Sequence, residues 1–135
     1  MPNNRMDDKV TYWLDLSDED ITVAKVLFNG GKLLYSGFMC HLAVEKALKA
    51  VIAKDCADDD FPPKWHDLTK LAVHAKIFEI MSEEQQDFIE DLNPLNIEAR
   101  YPEYKNKIAE RIPKEICMKI ITETEEFLCW IEKQL

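Results

Sequence analysis

Apolar residues recur at three- and four-residue steps along nearly the whole chain. Trp13, Leu16, Ile21, Ala24, Leu27 and Phe28 form one stripe, and Asp15, Ser17, Asp18 and Glu19 occupy much of the other side. That is the pattern of an amphipathic helix, here over about residues 8–29. Asn29-Gly30-Gly31 stops it, because glycine enters the left-handed geometry that closes a helix at little cost. A second segment, about residues 32–55, spreads Leu34, Phe38, Leu42, Val44, Leu48, Val51 and Ile52 over a broad surface. Two long helices joined by two glycines fold back as an antiparallel hairpin.

Three consecutive aspartates and Pro62-Pro63 break the period, so residues 55–65 predict a loop. A third segment runs from His66-Asp67 to about Ile80, with His66 or Asp67 as its N-cap. Ser82-Glu83-Glu84-Gln85 fits a capping box and opens a fourth segment on Phe88, Ile89 and Leu92. Pro94 ends or kinks it, with one further turn reaching towards Arg100. Tyr101 to Ile112 reads as an ordered loop. A fifth segment runs from Pro113 to the end on Ile116, Ile120, Ile121, Phe127, Leu128 and Ile131, with Leu135 extending the stripe. No stretch alternates with period two. The fold class predicted is all-α: an up-and-down helical bundle of four to five helices, in a single domain over residues 1–135.

Composition narrows the function classes. Hydrophobic residues make up 47% and charged residues 32%, a globular balance. Three glycines in 135 residues exclude a P-loop and a dinucleotide fingerprint, which need several at fixed spacing. With 17 basic against 26 acidic residues, the net charge is −9. Such a chain has no global pull towards phosphates, so no broad nucleic-acid surface is expected and an anionic ligand needs a local basic cluster. Cys40, Cys56, Cys117 and Cys129 fit no zinc spacing and read as buried or half-buried thiols in a reducing cytosol. No run of about 18 apolar residues spans a membrane, and the polar start, Met1 to Val10, carries no signal-peptide core. The localisation expected is cytoplasmic.

Three constellations could carry chemistry. His41, Glu45 and Lys49 stand at i, i+4 and i+8 beside Phe38, Leu48 and Ile52, with Lys46 next to them. They form either an ordinary network at a helix edge or a polar cleft or subunit seam. A carboxylate near an apolar seam is costly without a partner. Arg100-Tyr101-Pro102 sits at a structural corner. The Arg100 guanidinium makes an internal salt bridge, with Glu45 a candidate partner, or binds a phosphate. Lys64-Trp65-His66-Asp67 either caps a helix or, with the helix amides, binds an anion. His74 reads as a helix-surface residue. No HExxH and no G-x-S-x-G motif is present. A Cys40–His41 dyad fails because neighbours on a helix point about 100° apart. No catalytic residue, metal or cofactor is assigned.

In this order on this frame, the chain resembles the HEPN family of small helical domains. The residues that carry the resemblance cover nearly the whole chain. They are Trp13 with Asp20-Ile21, the Gly30-Gly31 turn, His41-Leu42-Ala43-Val44-Glu45-Lys46-Ala47-Leu48-Lys49-Ala50, His66-Asp67-Leu68, and the run from Leu92 through Glu98-Ala99-Arg100-Tyr101-Pro102-Glu103. The resemblance implies a bundle of about five helices, often dimeric through its early helices. It also implies nucleotide binding and association with a minimal nucleotidyltransferase in toxin–antitoxin-like pairs. Many family members are metal-independent ribonucleases, with an arginine followed after four to six residues by a histidine. Neither Arg5, Arg100 nor Arg111 is followed by that histidine, so the general acid–base group is missing.

The function expected is therefore a small, non-catalytic module. It binds a nucleotide-like or other anionic ligand through His41, Glu45, Lys46, Lys49, His66, Arg100 and Tyr101, with Glu45 orienting Arg100. A nucleotidyltransferase-type partner and a homodimer are expected, the latter also because segments one and two look apolar over more than one face. One alternative is a divergent ribonuclease or toxin that pairs Arg100 with His41 or His66 across helices. Another is a purely structural dimer that holds a partner enzyme.

Overall fold

A computed structural model describes residues 5–57, 60–98 and 112–135. Every regular element among the described residues is a helix, with no strand among them. The elements are α1 (Arg5–Asn29), α2 (Leu33–Lys54), α3 (Leu68–His74), a 3₁₀ turn (Phe78–Ile80), α4 (Glu83–Leu92), α5 (Leu95–Glu98) and α6 (Lys114–Glu132). The all-α bundle is thus the observed fold. No helix among the described residues is long and apolar enough to cross a membrane.

The hinge forms as its glycines dictate. Lys32 N–H donates to Leu27 O and Gly31 N–H to Phe28 O, the paired closing bonds of a Schellman motif. Gly31 takes φ +77°, which a side chain would resist. Small residues then let α1 and α2 lie close. Ser36 Oγ donates to Ala24 O at 2.7 Å, and Ser17 Oγ to Ala43 O at 2.8 Å. Ser17 is therefore buried, although its neighbours suggest the polar side of α1.

α2 is the central helix and touches α1, α3, α4, α5 and α6. It is buried nearly all round, which its broad apolar surface requires. That breadth is satisfied inside one chain, so it does not itself call for a second copy. Gly37 is the point of closest approach: a Cβ there would stand 3.0 Å from Leu95 Cδ1.

Three boundaries differ from the periodicity. α1 starts at Arg5, not about Asp8. α3 ends at His74, well short of Ile80. Lys76 adopts φ +63°, Ile77 N–H reaches back to Ala72 O, and Lys76 N–H to Val73 O. This second Schellman closure has lysine where glycine is usual, and burial of Ile77 holds it. In α6 the buried line is Cys117, Ile121, Thr124, Phe127 and Ile131. Ile116 and Leu135 are exposed instead of extending it. The capping box at Ser82 and Gln85 forms as the sequence predicts, and Pro113 is the N-cap of α6.

Candidate functional site

The i, i+4, i+8 spacing on α2 places three polar side chains inside the bundle, not at its edge. His41, Glu45 and Lys49 are 0%, 2% and 6% exposed. Burial of a carboxylate demands partners, and Glu45 has them from two elements. Lys49 Nζ donates to Oε2 at 3.1 Å. His66, entering from the loop before α3, brings Nδ1 to 3.1 Å from Oε1 and 3.2 Å from Oε2. His41 Nδ1 lies 3.8 Å from Oε1, within ion-pair reach but beyond a hydrogen bond. Lys49 Nζ also stands 5.6 Å from the Trp13 ring centroid, a cation–π contact from α1.

His66 is the member that reaches the surface, with its side chain 51% exposed. An ionised carboxylate only accepts, so Nδ1 carries the proton in this contact, and Nε2 is the nitrogen left for another partner. Lys46 turns away from the cluster and pairs with Asp20 Oδ2 at 2.9 Å. Burial raises the Asp20 pKa above its usual 3.8, and the hydrogen bond and charge of Lys46 pull it back only in part.

Two amides at the start of α3 are capped by side chains. Asp67 caps the helix by accepting from Lys70 N–H, and Asn93 Oδ1 accepts from Leu68 N–H at 2.8 Å. Of the two N-cap candidates, Asp67 takes the role and His66 turns to Glu45. The Leu68 and Lys70 amides are thus occupied by the chain itself. His74 is exposed on the helix surface and lies edge-on to Trp65.

His41, Glu45, Lys49 and His66 are therefore brought together, while Lys46 is matched elsewhere. Arg100 and Tyr101, and with them the Glu45–Arg100 contact and the loop from Tyr101 to Arg111, lie outside the described residues. Sequence reasoning left Trp13, Asp20 and Asn93 out of the site. Each acts across 25 or more residues, and no local spacing encodes that. Among the described residues no group of His, Cys, Asp and Glu is arranged to hold a metal ion. Burial raises the Cys40 thiol to about 12 and Cys117 in the same direction, which keeps both protonated and inert.

A cleft of about 740 Å³ opens elsewhere, between α4, α5 and α6. Among the described residues, apolar side chains line it together with Glu84, Asp87, Asp91 and Glu123 and the cation Lys119. Of the candidate residues that are described, none lines it. The site is thus better judged by the Glu45 cluster than by the size of this opening.

No curated protein and no solved structure matches the chain. A family model described as HEPN domain matches residues 10–134. That span takes in the glycine hinge, all of α2 and the His66 edge. With nearly the whole chain matched and an all-helical frame beneath it, the chain belongs to the HEPN domain family.

Proposed function

We propose that this chain is a non-catalytic HEPN module that binds a nucleotide-like or other anionic small ligand where His66 meets Glu45. The observation that carries this reading is the burial of Glu45, held by a lysine of its own helix and by a half-exposed histidine from another element. A bundle built only for stability gains little from such a group, since apolar replacements of buried ion pairs are often as stable or more so. Here the carboxylate fixes the His66 ring and leaves Nε2 to donate to an anion or accept from a ligand. Lys49 and Lys46 are matched by acids, so the ligand's charge falls to His66 and to surface cations beside it. Arg100 and Tyr101 complete the set that the sequence names.

Ribonuclease activity is not part of this proposal, because no arginine is followed after four to six residues by a histidine. A nucleotidyltransferase-type partner and a homodimer belong to the same proposal and rest on family membership. Isothermal titration with a nucleotide panel tests the ligand, with binding below millimolar expected for at least one nucleotide. Purified protein is expected to leave single-stranded and structured RNA intact. Cleavage that disappears in His41→Ala or His66→Ala would replace this reading with a ribonuclease one.

A further inference from the structure

The Glu45 cluster does not account for the residue just before His66. Trp65 stays 41% exposed. Its ring is edge-on to His74, with centroids 5.4 Å apart and planes at 88°. Lys70 Nζ stands 5.9 Å from the indole centroid. Lys70 and His74 are i, i+4 on α3, so two side chains of one helix face set the position of the indole. The local charge also departs from the rest of the chain. Residues 61–81 carry three lysines and two of the three histidines against two acids, in a chain of net charge −9.

Leaving an indole in water forfeits the gain of burying it. The described core closes without Trp65. An exposed indole with a lysine over its ring is an arrangement that can stack a heteroaromatic base on the remaining face and meet its phosphate. We infer that Trp65 is the stacking platform for the ring of the ligand, with Lys70 and His66 on its phosphate. This deepens the reading above and rests on it. The ligand class is a mononucleotide. One indole takes one base, and a short basic stretch on an acidic chain suits one phosphate better than a polynucleotide backbone.

The test uses adenosine monophosphate, adenosine and inorganic phosphate as probes, with tryptophan fluorescence and calorimetry on the full chain. The monophosphate should quench the wild-type emission, and Trp130 should persist as an unquenched background. Trp65→Ala should lose the quench and weaken the monophosphate at least tenfold. Because Trp65 is half-exposed the fold should survive, which circular dichroism checks. Trp65→Phe should lose the quench yet keep most of the affinity, which locates the ring without relying on the alanine variant. Lys70→Ala should weaken the monophosphate towards the affinity of adenosine, with His66 holding the remainder. Unchanged affinity in Trp65→Ala, or inorganic phosphate binding as tightly as the monophosphate, overturns this inference and leaves the His66 reading standing. If no nucleotide binds the wild type below millimolar, both fall.

Discussion

Glu45 is the residue on which fold and function meet. Removing it in Glu45→Ala strands Lys49 in the interior, and breaking a buried pair of this kind costs about 3–5 kcal/mol. Replacing both partners, as Glu45→Leu with Lys49→Met, should recover most of that loss, because no unmatched charge stays behind. Chemical denaturation of the two variants checks this, and equal loss in both would mean that the pair itself holds α2 in place. Asp20 gives a second prediction at this scale. Its pKa is raised by burial, against the partial pull of Lys46. The folded chain therefore holds that proton more tightly than the unfolded one. Stability from this group is present below its unfolded value of 3.8 and is lost as pH rises through the folded value. Asp20→Asn cannot ionise, so its thermal midpoint should gain on the wild type as pH rises above 3.8. A constant offset would show that burial of Asp20 is not felt. The sequence made the α2 cluster legible because its members are one turn apart. It could not place His66 on Glu45, 21 residues away across a loop, nor Asp20 on Lys46, 26 residues away.

Among the elements, the hairpin of α1 and α2 was the most legible, since a glycine pair between two amphipathic stripes has one cheap solution. Gly31→Ala forces a Cβ into φ +77° and should cost about 1–2 kcal/mol. Gly30→Ala, without that constraint, should cost less. Thermal melts of the pair separate the hinge geometry from glycine entropy. The early stop of α3 was not legible, because the residue in the left-handed position is Lys76 and the driving group is the buried Ile77. Local propensity reads Lys76 as one more helical residue, and tertiary burial overrides it. The same holds for Ser17, whose polarity suggested solvent while its hydroxyl ties α1 to Ala43 of α2.

For the whole molecule, three glycines and a charge of −9 began as exclusions and acquire places in the fold. Gly30 and Gly31 make the hinge, and Gly37 lets Leu95 approach α2. Four of the acids, Glu84, Asp87, Asp91 and Glu123, gather at the cleft of α4 to α6. Lys64, Lys70, His66 and His74 mark the opposite character around α3. Among the described residues this local contrast bears on anion binding more than the net charge does, since a local field outweighs a distant one within a Debye length of about 8–10 Å. If the His66 edge binds a nucleotide-like anion, calorimetric titration of the nucleotide panel into the wild type and His66→Ala will separate the two proteins. Binding below millimolar is expected in the wild type and at least tenfold weaker binding in the variant, with the fold intact. Equal affinity in the two proteins, or no binding to either, would contradict this reading.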